Sequence, residues 1–206
     1  MMKMGNNLSD KKQRTDELLT AVAEGDLRLV RKALINGARL NGHDDVTPLG
    51  IAIEKKNTML ARFLINQGAD VTKPHKGLKP LIHAIYTKDE DLVERLAVRG
   101  ADVNETFGMR ASWNPAQILI KTPLILSIEE GAYDVAKVLI HQGADPLKFI
   151  WQNENAFITV QDYNRGDKWM RLLKSNIKRP ITRQHVEAAK QIINQIRQSR
   201  ENGTSN

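Results

Sequence analysis

The segment from Thr122 to Asp145, TPLILSIEEGAYDVAKVLIHQGAD, most constrains what this chain can fold into. Thr122 is suited to cap a helix with its hydroxyl, and Pro123 fits the first helical position, where no amide donor is needed. Gly131 and Gly143 are suited to end two successive helices, because glycine adopts the left-handed conformation most cheaply. Helices this short are not stable alone. The segment therefore predicts a helix-turn-helix unit that must pack against neighbours.

The same pattern recurs along the chain in a regular register. Three helix starts of the form Xaa-Pro-Leu and four Gly-Ala turns carry it, the starts at Thr47, Lys79 and Thr122 and the turns at Gly37, Gly68, Gly100 and Gly143. Successive turns are 31, 32 and 43 residues apart. Linked motifs that repeat in one register are a far more specific signal than any single motif, and they predict stacked units that bury a shared core.

A Thr-Pro-Leu start and a Gly-Ala-Asp end resemble the ankyrin repeat, over roughly Thr15 to Pro146. The resemblance implies an all-α fold, a solenoid of stacked helix-turn-helix units with four recognisable repeats and a degenerate fifth. The family usually has histidine after Thr-Pro-Leu, where this chain has Gly50, Ile82 and Ile125. The resemblance therefore implies the family's helical packing, but it does not establish the hydrogen bonds that this histidine makes across the turns.

A second departure concerns the glycine that usually divides the two helices of a repeat. This glycine is present at Gly25 and Gly131 but is replaced by Lys56 and Lys88 in the two repeats between them.

The chain divides into four parts by composition and pattern. Residues 1–14 are predicted to be a disordered basic segment, and residues 15–146 are predicted to form the repeat array. Residues 147–200 are predicted to form a degenerate repeat and a C-terminal helical cap, and residues 201–206 form a polar tail. The last helix is predicted at residues 183–200, with an apolar stripe of Val186, Ala189, Ile193 and Ile196. A partner-binding amphipathic helix is the alternative for this segment.

The array is interrupted by an insertion at residues 105–121. Between Gly100 and Thr122 there are eleven more residues than between the equivalent positions of the preceding turn. We interpret the insertion as a loop at the turn edge, where inserts in repeat arrays often form the binding face. It carries three large apolar residues, Phe107, Met109 and Trp113. The loop either folds back onto the repeats or presents these side chains to a partner.

The sequence contains no recognisable catalytic or metal-binding constellation. The absence of cysteine excludes disulfides and thiolate metal sites. None of the five histidines has the spacing of metal ligands, and there is no phosphate-cradling glycine-rich loop and no nucleophile elbow. We therefore expect a non-enzymatic protein with no catalytic residues, no cofactor and no metal.

The ankyrin resemblance implies binding through a concave surface made by the turn tips and the ends of the first helices. The corresponding positions are His43, Asp44, Val46, Glu54 and Lys55 in the second repeat, His75, Lys76, Leu78 and Tyr86 in the third, and Lys121 and Glu129 in the fourth. Their mixed charge favours a protein partner over a polyanion. We therefore expect a protein–protein interaction module, a scaffold or adaptor, that binds through its concave face, its turn tips and the 105–121 loop.

The net charge of +7 is concentrated at the two ends of the chain. Residues 1–14 carry +3, residues 15–146 carry −2 and residues 147–206 carry +6. A basic flank is also compatible with an anionic partner, so the alternative function is binding of nucleic acid or an anionic surface through the C-terminal region. A steep salt dependence of binding would distinguish this alternative.

The sequence has no feature that predicts membrane insertion. There is no apolar run of 18 residues, so no transmembrane helix is expected. The N-terminal stretch is polar and lacks the apolar core of an ordinary secretory signal. We expect a cytoplasmic monomer, while export by a route that needs no such signal stays open.

Overall fold

The computed structural model describes residues 8–110, 116, 118–148 and 156–176. Ten helices and two strands lie in these ranges. The helices are α1 (Leu8–Glu24), α2 (Leu27–Ile35), α3 (Pro48–Glu54), α4 (Thr58–Asn66), α5 (Pro80–Thr87), α6 (Glu90–Val98), α7 (Pro123–Glu129), α8 (Tyr133–His141), α9 (Ala156–Asp162) and α10 (Asp167–Ser175), and the strands are β1 (Phe107–Arg110) and β2 (Ile118–Lys121). The chain forms two units, Met1–Val103 and Asn104–Asn206.

The first unit consists of three helix-turn-helix repeats. Helices α1 and α2, α3 and α4, and α5 and α6 pack as pairs, and α1 and α5 both pack against α3. The core is built from large aliphatic residues at equivalent positions of each repeat: Leu18, Val22, Leu49, Ile53, Leu60, Leu64, Leu81, Ile85, Leu92 and Leu96. Burying one such side chain stabilises a fold by about 1.5–3 kcal/mol relative to leaving it exposed, so short helices become stable through packing.

Helix α1 corrects the predicted boundary of the N-terminal segment. The segment 1–14 was expected to be disordered, whereas α1 begins at Leu8. The guanidinium of Arg14 donates to the backbone carbonyl of Asn36, 3.0 Å away, at the end of α2. This hydrogen bond anchors the start of α1 to the end of α2. Composition alone does not reveal such a contact.

The second unit contains the fourth repeat and the segment after it. Helices α7 and α8 pair, α9 packs against α7, and α10 packs against α9. Trp169 and Leu173 of α10 are buried, and the rings of Trp169 and Tyr133 pack edge-to-face with centroids 5.0 Å apart. Helices α9 and α10 therefore lie where a degenerate repeat was predicted. The predicted capping helix at residues 183–200 lies outside the described residues.

The helix ends of the fourth repeat have the predicted chemistry. The Thr122 hydroxyl accepts a hydrogen bond from the backbone N–H of Ile125, and Pro123 is the first residue of α7. Gly131 and Gly143 have φ values of 66° and 95°, in the left-handed region. In the described part of the chain, no helix is long and apolar enough to cross a membrane.

The insertion differs from the predicted loop. Strands β1 and β2 pair antiparallel, with Phe107 opposite Lys121 and Arg110 opposite Ile118. The described fold is therefore helical repeats with one two-stranded sheet, which the all-α prediction did not include. The sheet was missed because its register depends on pairing between strands seven residues apart, which no local helix signal reports.

Candidate functional site

The β1–β2 hairpin is an elongated version of the turns between the earlier repeats. In the two preceding turns, single bridges join His43 to Val46 and His75 to Leu78, three residues apart. In the third turn the equivalent bridge joins Phe107 to Lys121, fourteen residues apart. All eleven inserted residues therefore lie within the turn itself.

The two faces of this hairpin carry different side chains. The register places Phe107, Met109, Leu119 and Lys121 on one face, where all four are half-buried. It places Gly108, Arg110, Ile118 and Ile120 on the opposite face, defined here as the outer face. Ile118 is 60% exposed, and a Cβ added at Gly108 would lie 2.8 Å from its Cγ2. Among the described residues of the insertion, Ile118 is the exposed large apolar side chain and Ile120 beside it is half-buried. Sequence reasoning placed neither residue at the site.

Phe107 and Met109, which were predicted to contact a partner, lie on the face opposite to Ile118. Trp113 lies outside the described residues, so its predicted role stays a prediction. The signal that could have identified Ile118 and Ile120 is the apolar run Ile118-Leu119-Ile120, whose alternate residues must point to opposite faces if the run is a strand.

His75 is completely buried although it lies in a turn. Its Nδ1 accepts a hydrogen bond from the backbone N–H of Thr47 at 3.1 Å, and its Nε2 lies 3.1 Å from Oε2 of Glu54. Because Nδ1 accepts, Nε2 carries the proton and donates to the carboxylate. Burial lowers the pKa of His75 and favours this neutral form. The prediction that His75 contacts a partner is therefore wrong, because its ring is enclosed by its own chain.

The space occupied by His75 exists because residue 50 is glycine. A Cβ at Gly50 would lie 2.2 Å from Cγ of His75, far inside van der Waals contact. Gly50 stands at the position where the family usually has histidine. The imidazole of this chain therefore reaches that site from a turn 25 residues further on and makes the hydrogen bond across the turns from there.

Glu54 and Lys76 form an exposed ion pair beside this ring. Lys76 Nζ lies 2.9 Å and 2.8 Å from the two carboxylate oxygens of Glu54. The hydrogen bonds from Lys76 and then His75 lower the pKa of Glu54 to about 2, so the carboxylate is ionised at neutral pH. Both residues were predicted at the binding surface, and both remain exposed there.

Lys121 and Glu129 are paired with each other rather than presented to solvent. Their Nζ and Oε2 atoms lie 2.5 Å apart, and their side chains are only 12% and 11% exposed. The hydroxyl of Tyr163 also donates to Glu129, at 3.4 Å. These two predicted contacts are therefore corrected: the pair ties β2 to α7, which a sequence cannot show because the partners lie in different elements.

The other predicted binding residues differ in exposure. Asp44, Lys55 and Tyr86 are exposed, whereas Val46 and Leu78 are half-buried at the ends of their turns. Their role as partner contacts stays a prediction.

His43 links the first repeat to the turn that follows it. Its Nε2 lies 2.5 Å from Oδ1 of Asp16 on α1, and its Nδ1 lies 3.0 Å from Oδ2 of Asp44. The hydrogen bonds of Asp16 and then Asp44 raise the pKa of His43. The protonated ring can donate to both carboxylates at once.

A pH-dependent contribution to stability is expected from His43. Because its pKa is raised in the folded state, the contribution is complete below its ordinary pKa of 6.5 and is lost as pH rises through the folded-state pKa. The carboxylates are largely solvent-exposed, so the effect is expected to be below about 1 kcal/mol. The free energy of unfolding of wild type and His43→Gln should differ most near pH ~5.5 and least near pH ~9.

The partner variant Asp16→Asn should remove most of the same pH dependence, because Asp16 is the main cause of the raised pKa. If the free energy of unfolding of wild type and that of His43→Gln differed by the same amount at both pH values, this account would be contradicted.

Lys56 and Lys88 keep the backbone geometry of the glycine that they replace. Their φ values are 56° and 57°, against 76° and 66° for Gly25 and Gly131 at the equivalent positions. The left-handed region costs a residue with a side chain roughly 1–2 kcal/mol. Attraction between a lysine and the carbonyl end of a helix stabilises the fold by only about 0.3–1 kcal/mol. The strain energy at Lys56 and Lys88 is therefore larger than the stabilisation that each lysine gains from the carbonyl end of the adjacent helix.

The described ranges contain no cluster of side chains suited to hold a metal ion. No group of three or more metal-ligating side chains lies together in residues 8–110, 116, 118–148 and 156–176. The exposed residues in these ranges include Ile118 on the hairpin's outer face, the lysines at the ends of α3 and α5, and Tyr86.

Comparison with known families agrees with this architecture. A model of ankyrin repeats (3 copies) matches residues 18–107, and a model of a single ankyrin repeat matches residues 121–148. The chain belongs to the ankyrin repeat family, which confirms the resemblance seen in its motifs. The two matches stop and resume at the ends of the β1–β2 hairpin. A search of curated proteins found no match.

Ankyrin repeats are generally protein–protein interaction modules and are typically non-enzymatic, and no catalytic family is indicated for this chain.

Proposed function

We propose that this chain is a non-enzymatic adaptor that binds a partner protein, and that the outer face of the β1–β2 hairpin is part of its binding surface. The observation that carries the proposal is the exposure of Ile118 on a turn eleven residues longer than its counterparts. The proposal includes a continuous solenoid of repeats, capped by residues 183–200, and a cytoplasmic, monomeric protein.

The hairpin supports a binding role through its composition. A two-stranded hairpin is marginally stable in water by itself, and β1–β2 has apolar residues on both faces. The Lys121–Glu129 ion pair ties the half-buried face to the repeat. Ile118 on the outer face is left exposed, with the half-buried Ile120 beside it, and Arg110 on the same face is a residue type enriched at interfaces. An apolar surface on a partner protein fits this face.

Replacing Ile118 with aspartate is expected to abolish partner capture without affecting folding. The charge would have to be desolvated against an apolar partner surface, so we expect at least a tenfold loss of the captured protein. The measurement is affinity capture from native cell extract on immobilised wild type and variant, with quantification of the proteins retained. The thermal midpoint should be unchanged, because Ile118 is exposed.

Ile35→Asp is the matched control, because Ile35 is an isoleucine on α2 that is 85% exposed. It adds the same charge and should leave capture intact. Equal capture by wild type and Ile118→Asp would contradict a binding role for the outer face.

A further inference from the structure

We infer that the open groove between α1 and α2 binds a basic amphipathic helix of a partner protein, in the place where a preceding repeat would pack. The groove has a volume of about 470 Å³ and is lined by one face of α1, over residues 13–24, and by Leu29, Lys32 and Asn36 of α2 and its end. The inference concerns the first unit alone. It goes beyond the proposed function, because the hairpin takes no part in it.

The first argument is the exposure of Leu29, which occupies a core position of the repeat. Leu29 lies eight residues before the Gly-Ala turn of its own repeat, and the residues at the same distance from the later turns are Leu60, Leu92 and Val135. Each of these three is exposed by 1% or less, whereas Leu29 is 45% exposed. The first repeat therefore keeps an apolar side chain at a position that every later repeat covers.

The polar residues of α1 make this leucine more unusual. The outer face of a terminal repeat is normally polar, because it meets water. Helix α1 follows this rule, since the exposed Glu17 and Thr20 stand where the second repeat has the buried Pro48 and the half-buried Ile51. Leu29 departs from it, so the groove combines an apolar floor with a polar rim, as binding grooves do.

The second argument is that the fold shows which kind of element covers this face. Helix α1 packs against α3 at the second repeat, and α3 packs against α5 at the third. The described part of the chain begins with α1, so its elements offer no such helix to the first repeat. The lining residues of α1 extend over about 16 Å, or three helical turns. A partner helix of that length would lie along the groove as one repeat lies along the next.

The third argument is charge, which gives the chemistry of that helix. The groove is lined by three carboxylates and one base, a net charge of −2: Asp16, Glu17 and Glu24 on α1, and Lys32 on α2. Asp16 Oδ1 lies 2.5 Å from Nε2 of His43, so its charge is met within the chain. Glu17 accepts only a long hydrogen bond of 3.4 Å from the neutral amide of Gln13 among the contacts that define this face.

The spacing of the two glutamates sets the spacing of the partner's charges. Glu17 and Glu24 are both exposed and seven residues apart, which places them on one face of α1 about 10 Å from each other. A helix that carries lysine or arginine seven residues apart would meet both carboxylates. An aliphatic side chain midway between those two bases would then cover Leu29.

The test uses the full-length protein and two labelled helical peptides. The probe is an alanine-rich peptide that carries two lysines seven residues apart, with a leucine midway between them on the same face, and its reference has glutamate in place of each lysine. Fluorescence anisotropy at low salt should give about tenfold tighter binding of the lysine peptide to wild type. The difference should shrink as salt is added, because the charges are exposed.

Three variants of the groove separate its charge from its apolar floor. Glu17→Lys/Glu24→Lys should reverse the preference, so that the glutamate peptide binds more tightly. Glu17→Gln/Glu24→Gln keeps the size of the side chains and should bind the two peptides about equally. Leu29→Gln should weaken binding of the lysine peptide by about tenfold but keep the preference for lysine, because the carboxylates remain.

Two matched controls change similar residues outside the groove. Glu90→Lys/Glu94→Lys reverses two exposed charges on α6, and Met59→Gln removes an apolar side chain of α4 that is 63% exposed. Both should bind the two peptides as wild type does. Circular dichroism should show the same helical content in every variant.

Three results would overturn the inference. They are equal affinity of the two peptides for wild type, a preference for lysine that persists in Glu17→Lys/Glu24→Lys, and self-association in sedimentation that this variant abolishes, which would assign the groove to a second copy of the chain. If the peptides show no preference while Ile118→Asp still loses the captured partner, this inference fails and the proposed function stands.

Discussion

Replacing Leu139 with alanine is expected to lower the free energy of unfolding by about 2–5 kcal/mol. Leu139 lies on α8, which packs against α7, and its side chain is completely buried. Alanine would remove the buried methyl groups and leave a cavity that the surrounding helices fill only in part. Urea unfolding followed by helical circular dichroism measures the change.

Val98→Ala provides the control for this experiment. Val98 is an aliphatic residue of α6 that is 67% exposed, so its truncation should change stability by less than about 0.5 kcal/mol. A loss below about 0.5 kcal/mol for Leu139→Ala itself would mean that Leu139 does not belong to the core.

The second large effect is expected at Gly50. Gly50→Ala should destabilise the protein by about 1–3 kcal/mol or more, because the new methyl group would overlap the ring of His75. His75→Ala should also destabilise it, since the buried backbone N–H of Thr47 would lose its acceptor, at a cost of roughly 1–3 kcal/mol.

Combining Gly50→Ala with His75→Gly tests this contact directly. The Cβ of His75 would itself lie 2.3 Å from the new methyl group, so only glycine at position 75 removes all three of the nearest obstructing atoms. Gly50→Ala should therefore destabilise wild type but cost less in the His75→Gly background, with a coupling free energy of about 1–3 kcal/mol. Additive effects in a four-variant unfolding cycle would show that His75 does not fill the space beside Gly50.

The helical part of this fold was predictable because its signals are local. The Thr122 cap, the first-turn Pro123 and the two left-handed glycines of the fourth repeat act within one or two turns of the chain. The buried position of Leu139 follows from the helical period of its apolar neighbours. Repetition of the same signals in several repeats made the family recognisable.

The site was less predictable because its geometry depends on pairs of distant residues. His75 was expected on the surface, and its burial follows from the missing side chain at Gly50. Lys121 and Glu129 carry no sign in the sequence that they neutralise each other. The strands of the insertion were interpreted as a loop, because only the pairing between Phe107 and Lys121 sets their register.

The contact between Gly50 and His75 also limits which whole repeats could be deleted or duplicated without a loss of stability. Its two halves belong to successive repeats, so the second repeat is fitted to the third. Deleting the third repeat would leave the Thr47 amide without its acceptor beside an empty space, and duplicating the second would set a turn containing His43 where His75 is required. The repeats resemble interchangeable modules in sequence, but the contact of His75 with Gly50 and Thr47 is expected to make the order of the second and third repeats matter for stability.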